Sequence, residues 1–310
     1  MARAYVLHEN PLWLPPLAEA FDRQGLPWSE LFLDVGTFDL SSPPPEGVFY
    51  NRMSASSHTR NHRYSAELTA SVLAWLKRWG RKVVNSQNVL DLEISKVRQY
   101  AELERLGIKT PRTVFVSGRD QIVSAARKYF DGQPFILKPN RGGRGEGVQL
   151  FKTVESLAQY VESDQYETPI DGVELLQEYI IAPRTFITRA EFINGRFLYA
   201  VEVDTSDGFQ LCPCENTREN KREKFRIIDG IPEQLKTQLE SFLASTGINI
   251  AGIEFITDVN GNPFVYDVNT NTNYNAEAEE RAGRAGTERS GPGAVAAYLG
   301  AELYRLYNVN

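Results

Sequence analysis

Residues 252–275, GIEFITDVNGNPFVYDVNTNTNYN, concentrate the side chains best suited to chemistry. Asn260-Gly261 lies between two strand-like runs, and a type I′ hairpin turn wants positive φ at both central residues. With that pair as the turn, counting outward sets Val259 opposite Asn262, Thr257 opposite Phe264, Phe255 opposite Tyr266 and Glu254 opposite Asp267. The last pair falls at a non-hydrogen-bonded position, where facing Cα atoms are about 4.5 Å apart. Asn269 shares their face, and Ile253, Phe255, Phe264, Tyr266 and Val268 make the reverse face apolar. Pro263 falls at a non-bonded position, where its missing N–H costs nothing. Like charges directly opposed destabilise a sheet. A shared divalent cation relieves them, because two carboxylates and an amide oxygen are hard ligands that suit Mg²⁺ completed by water and phosphate. A protonated carboxyl or exposure of both acids is the alternative.

Magnesium held by so few carboxylates usually serves a nucleotide, so a phosphate cradle is expected elsewhere. The segment FILKPNRGGRGEGVQLF, 135–151, offers one. It lacks the Gly-Lys-Ser/Thr of a P-loop and, with Val148, the GxGxxG pattern; a strand pattern follows it. Gly142, Gly143, Gly145 and Gly147 make a hairpin tip whose bare N–H groups can close over phosphate oxygens. Arg141 and Arg144 add charge to the tip, and Lys138, ending an apolar strand, can reach the α/β-phosphates. A surface turn with ordinary basic residues explains the composition equally well. Lys96, early in an amphipathic helix, reads as solvated.

A second Asn-Gly, Asn194-Gly195, joins runs 186–193 and 196–203. The same counting sets Arg189 opposite Ala200 on a face with Glu191 and Glu202, and leaves Phe186, Ala190, Phe192, Phe197, Tyr199 and Val201 to be buried behind it. Arg189 can stabilise charge on a transferred phosphoryl group or form a salt bridge to Glu191 or Glu202.

The rest of the chain supplies the scaffold. Strands at 4–7, 29–34, 47–50 and 82–85 alternate with helices at 16–23 and 64–79, the pattern of a small parallel-sheet domain over residues 1–90. A second unit, 91–180, carries a helix at 94–106, a strand at 113–116, a helix at 121–129 behind a capping box of Ser117 and Asp120, strands at 135–138 and 148–151, a helix at 154–163 and a strand at 173–179. The third, 181–310, has the two hairpins with a helix, 232–245, between them, a polar run at 277–290 read as a flexible loop, and a final helix, 294–307.

A length of 310 residues suits two or three domains. Hydrophobic residues at 42% and charged ones at 24% are ordinary globular usage. Lys and Arg number 34 against 40 Asp and Glu. The resulting net charge of −6 argues against broad nucleic-acid binding. Two cysteines, Cys212 and Cys214, make no disulfide framework and read as loop or strand-end residues. No apolar run reaches membrane-span length and the start lacks a signal-peptide pattern, so the expectation is a soluble cytoplasmic protein without membrane or nucleic-acid partners.

Taken in order, SKVRQYAELERLGIKTPRT, FILKPNRGGRGEGV, LLQEYI, ITRAEFING and AGIEF…VYDVNTN resemble the ATP-grasp superfamily, above all its RimK-like α-L-glutamate ligases and glutathione synthetases. The resemblance covers about residues 85–275 and implies an α+β (α/β) ATP-grasp fold preceded by the small parallel-sheet domain. It implies that Lys96 and Lys138 contact ATP, that 142–147 is a lid, and that Gln177, Glu178, Tyr179 and Ile180 form the hinge holding adenine. It further implies that Glu254, Asp267 and Asn269 bind one or two Mg²⁺, with Mn²⁺ a substitute, and that Arg189 stabilises the phosphoryl group. The activity implied is ATP-dependent joining of a small-molecule or peptide carboxylate to an amine through an acyl phosphate, by an enzyme for which homo-oligomers would fit. An ATP-binding regulatory module or a small-molecule kinase on the same scaffold is the alternative. Three departures matter: Ile187 stands where the family often has aspartate, GFQLCPCEN (208–216) replaces its Arg-x-Asn, and NTNTNYN lacks its Pro-Gly.

NRMSASSHTRNHR, 51–63, reads as a basic loop at the carboxyl end of a parallel strand, where open α/β sheets bind ligands, so Arg52, His58 or Arg60 are candidates for a substrate carboxylate. His58 and His62, four apart, have no third ligand at metal spacing.

Overall fold

The computed structural model describes residues 1–206 and 224–308; Cys212, Cys214 and the segment 208–216 lie outside them. The first strands, β1 (Arg3–His8), β2 (Trp28–Phe32), β3 (Gly47–Asn51) and β4 (Lys82–Val84), form a parallel sheet of order β2-β1-β3-β4. Helices α1 (Pro15–Arg23) and α2 (Ser65–Arg78) cover it. Leu17, Ala20 and Phe21 on one, and Val72, Leu73 and Leu76 on the other, recur at helical spacing and are buried.

The helix expected over 94–106 forms as α4 (Lys96–Arg105), and a further helix that was not expected, α3 (Gln87–Glu93), precedes it. Ser95 breaks the run: its backbone is extended at φ −148° and its hydroxyl caps the Arg98 N–H, satisfying a first-turn donor that continuous helix would not leave open. The break turns both Glu93 and Lys96 toward the same cleft. Strands β5 (Thr113–Ser117), β6 (Phe135–Pro139), β7 (Gln149–Phe151) and β8 (Val173–Glu178) form an antiparallel sheet in the order β5-β8-β6-β7, packed on α5 (Arg119–Phe130) and α6 (Val154–Glu162). The expected capping box is absent: Gly118 caps α5 and no side chain bonds the turn.

A third sheet, in the order β11-β10-β9-β12-β13, contains β9 (Phe186–Ile193), β10 (Arg196–Asp204), β11 (Phe225–Ile228), β12 (Ile250–Thr257) and β13 (Pro263–Asn269). One face meets α4 and α7 (Glu233–Thr246) through Ala190, Phe192, Ile253, Phe255, Val265 and Val268; the other carries the cleft. The run 277–290 is packed, not a loose loop. It begins with α8 (Ala276–Arg281), and Glu279, 4% exposed, accepts from Tyr199 Oη at 2.6 Å and Gly291 N at 2.5 Å. Helix α9 (Gly291–Tyr307) buries Val295, Ala296, Leu299 and Leu303 against β1, β3 and α1. Asn85, fully buried, links the first and third sheets: its amide donates to Ile250 O (2.8 Å) and Thr270 O (3.1 Å) and accepts from Asn249 N and Ile250 N. Among the described residues no helix is long and apolar enough to cross a membrane.

Candidate active site

Both Asn-Gly hairpins form, with registers that simple counting misses. In β9–β10, Asn194 and Gly195 are both left-handed, at φ 53° and 67°, as a type I′ turn requires. A bulge at Leu198 then shifts the ladder by one, so Arg189 faces Val201, not Ala200. Tyr199 and Val201 therefore lie on the cleft side with Ile187, while Ala200 joins the core and Glu202 faces away, paired with Arg226.

In β12–β13 only Gly261 is left-handed, at φ 82°. Asp258 N bonds Asn262 O at 2.9 Å, so the loop holds three residues rather than two. The outer pairs are consequently Thr257–Pro263 and Phe255–Val265. Tyr266 is the extra residue of a bulge, beyond which Glu254 faces Asp267. The longer loop and the bulge cancel, leaving the acid pair where it was expected. The bulge also aims two consecutive side chains, Tyr266 and Asp267, into the cleft; Val265 takes the core place expected of Tyr266.

The cleft, about 220 Å³, lies between the second and third sheets. Lys96, Lys138, Gly142, Gly143, Gly145, Gln177, Glu178, Tyr179, Ile180, Arg189, Glu254, Asp267 and Asn269 all line it. Lys96 Nζ pairs with Asp267 Oδ1 at 2.8 Å and donates to Gly142 O at 3.3 Å. Arg189 Nη1 stands 3.5 Å from Glu254 Oε1, and Asn269 Nδ2 donates to the same oxygen at 3.4 Å. Burial raises the Glu254 carboxyl and Asp267 adds to this, outweighing the Arg189 charge. Burial acts likewise on Asp267, but there the Lys96 ammonium prevails and holds the acid below its usual range. Lys96 itself is lowered by burial and raised further by Asp267, ending above its normal value.

Lys138, 4% exposed, donates to Tyr100 Oη at 2.7 Å. Burial, then the charge of Lys96, pull its pKa down to about 7. Tyr100 Oη also accepts from Gln177 Nε2 at 3.1 Å and donates to Tyr266 O at 2.7 Å. Glu93 lines the floor, accepting from Ala55 N at 3.2 Å and Thr270 N at 2.7 Å. Asn140 fixes the root of the glycine loop: its Oδ1 accepts from Val97 N at 2.9 Å, and its carbonyl from Lys96 N. The glycine loop turns with Gly145 and Gly147 at φ 77° and 73°, a region that disfavours other residues.

Four expected residues stand outside the cleft lining. Arg141 Nη1 pairs with Glu67 of α2 at 2.9 Å, tying the glycine loop to the helix over the first sheet. Arg52 donates to Trp13 O, Thr272 O and Asn273 Oδ1 at 3.1, 3.0 and 2.8 Å. Arg60 pairs with Glu9 at 2.5 Å and stacks on Trp13, 4.6 Å from the ring centre. His58 is half-buried, its pKa lowered by burial and then by Arg141. Among the described residues no three His, Cys, Asp or Glu side chains gather as a metal site. Sequence reasoning missed Glu93, Tyr100, Trp13, Ser54, Asn271 and Asn273. Only the Asn and Thr repetition of NTNTN hinted at any of them.

The model of the RimK-like ATP-grasp domain matches residues 94–283. The alpha-aminoadipate–LysW ligase LysX of Sulfolobus acidocaldarius is 30% identical over 153 residues, 49% of this chain and 54% of its own length. Beta-citrylglutamate synthase B of Danio rerio is 24% identical over 209 residues, 66% of this chain and 48% of its own. The chain thus spans about half the length of these curated relatives. Among solved structures, the ATP-grasp ligase PsnB, complexed with a phosphomimetic variant of its minimal precursor, Mg and ADP, superposes with a TM-score of 0.63 over 97% of this chain and 99% of that one at 18% identity, a likeness of fold. Since the family pattern runs through well over half of its length and the fold agrees, the chain belongs to the RimK-like ATP-grasp family.

Proposed function

We propose that the chain is an ATP-dependent carboxylate–amine ligase that makes an amide or peptide bond through an acyl phosphate. The observation that carries this reading is the acid pair: Glu254 and Asp267, opposed across a hairpin beside Asn269, share one cleft with Lys96, Lys138 and a glycine lid. Their oxygens are the hard donors that suit Mg²⁺, which would supply charge neutralisation to ATP phosphates. Lys96 and Arg189 now hold the acids and would be freed to face phosphate oxygens. The backbone of 178–180, beside Gln177, provides the adenine wall, and Arg189 offsets charge on the phosphoryl group in transfer. The lid over Gly142 excludes water that would hydrolyse an acyl phosphate. The relatives named above are ligases and a synthase, and PsnB was seen with Mg and ADP.

The acid and amine are amino acids or peptides in this reading, entering past Trp13, Ser54 and Asn273. Arg52 and Arg60, already engaged by Asn273 and Glu9, support that entrance from behind. The test is hydroxylamine trapping across a panel of amino acids and small peptides: ATP- and Mg²⁺-dependent hydroxamate supports the ligase. ADP release without hydroxamate would identify a kinase, and neither product a binding module.

A further inference from the structure

Arg189 is held in a closed ring of polar contacts that the reaction itself does not require. Its Nε lies 2.8 Å from Glu191 Oε1; its Nη2 donates to Thr272 Oγ1 at 2.5 Å; the Thr272 hydroxyl donates to Glu191 Oε2 at 2.8 Å. The ring is thus one ion pair and two hydrogen bonds, and each contact sets a donor group against an acceptor. Arg189 and Glu191 are i and i+2 on β9 and share a face. Nη1 is left pointing past the ring toward Glu254.

The neighbouring strand is cut away to admit this arrangement. Gly252 of β12 faces Glu191 in the ladder. A Cβ there would come within 2.5 Å of Arg189 Nε, 2.8 Å of its Nη2 and 2.9 Å of Glu191 Oε2. Any other residue would push the guanidinium and carboxylate off the strand. Glu191 is 2% exposed and Arg189 8%. A buried ion pair gains little stability over an apolar pair of the same volume, so its retention calls for another account.

We propose that Glu191, Thr272 and the bare backbone of Gly252 form a positioning device that locks the Arg189 guanidinium in one plane, with Nη1 aimed at the phosphoryl group being transferred. This deepens the ligase reading and rests on it. A displacement of about 1 Å at a reacting group costs about 10²-fold in rate, so loosening Arg189 should lower kcat while leaving ATP binding intact.

The test uses Glu191→Gln and Thr272→Val in the full chain, with two readouts. In hydroxamate formation, each is expected to lower kcat about 10- to 100-fold with KM for ATP within about threefold; Thr272→Ser, which keeps the hydroxyl, recovers most of the loss. In an Arg189→Ala background Glu191→Gln adds less than about twofold, since it acts only through the arginine. Equal cost in both backgrounds, or unchanged kcat, overturns the proposal. The second readout needs no substrate: a resolved Nη2–H resonance of Arg189 in ¹⁵N spectra, held by the hydrogen bond to Thr272 and assigned by its loss in Arg189→Lys, broadens away in Glu191→Gln and Thr272→Val. Should the wild type give no hydroxamate with any acid, the ligase reading falls, and survival of that resonance in both variants overturns the locked guanidinium separately.

Discussion

The β9–β10 and β12–β13 hairpins carry the same Asn-Gly dipeptide and each contains one bulge, yet their turns differ. In the first, both Asn194 and Gly195 are left-handed; in the second Gly261 alone is, within a three-residue loop. The first hairpin delivers a cation locked by its own strand, Arg189 with Glu191. The second delivers an acid pair that its own Asn269 touches only at 3.4 Å and whose charges are met by Lys96 from α4 and Arg189 from β9. In both, the bulge turns two consecutive side chains to one side of the sheet, Leu198 with Tyr199 and Tyr266 with Asp267. The guanidinium is fixed from within one hairpin, whereas the charges of the acids are met by cations from other elements.

Substitution at the two sites should separate the hairpins by function, with the heaviest loss in the second. On the proposed ligase reading, Asp267→Asn removes a charge offered to the metal and should lower hydroxamate formation about 10³-fold, against about 10²-fold for Arg189→Ala. Steady-state rates at saturating ATP and Mg²⁺ check the order, and a reversed order would break the division of labour.

A buried acid outside both hairpins gives the next effect. Glu174, 6% exposed on β8, is pushed up to about 7 by burial, which outweighs a Tyr166 hydrogen bond. Its folded pKa exceeds the unfolded value of about 4.3, so the unfolded chain loses its proton first and stability falls as pH rises between the two. Glu174→Gln should remove about 2 kcal/mol of that loss. Urea unfolding at pH 5 and pH 8 measures it; parallel behaviour of variant and wild type would show that Glu174 is not an unassisted buried acid.

A more modest difference lies in the turns. Asn194 sits at φ 53°, and Asn194→Ala should cost about 1 kcal/mol. Asn260 lies outside the left-handed region, and Asn260→Ala should cost about 0.5 kcal/mol at most. Thermal melts of the two variants compare them, and equal losses would mean the turns are alike after all.

Much of this was legible in the chain. Apolar periodicity located most strands and helices, because burial of one face dictates it. Lys138, the loop glycines and the acid pair stood out by residue type and spacing, whereas Lys96 read as solvated and became a candidate only through the family resemblance; all of them line one cleft. What was not legible has a common cause: a bulge or a third loop residue leaves no mark on local composition, so Val201, Tyr266 and Val265 could not be assigned to their faces. Likewise Ser95 starts α4 through one cap and sets it off from α3, and Glu279 packs a polar run through a partner eighty residues away. Glu93 and Tyr100 enter the site only through tertiary approach to Thr270 and Tyr266.

The most direct trial is calorimetric titration of a non-hydrolysable ATP analogue, with and without Mg²⁺, into the wild type and Asp267→Asn. Mg²⁺ is expected to tighten binding at least tenfold in the wild type and to have no such effect in the variant. An equal gain from Mg²⁺ in both proteins would contradict a metal held by the acid pair.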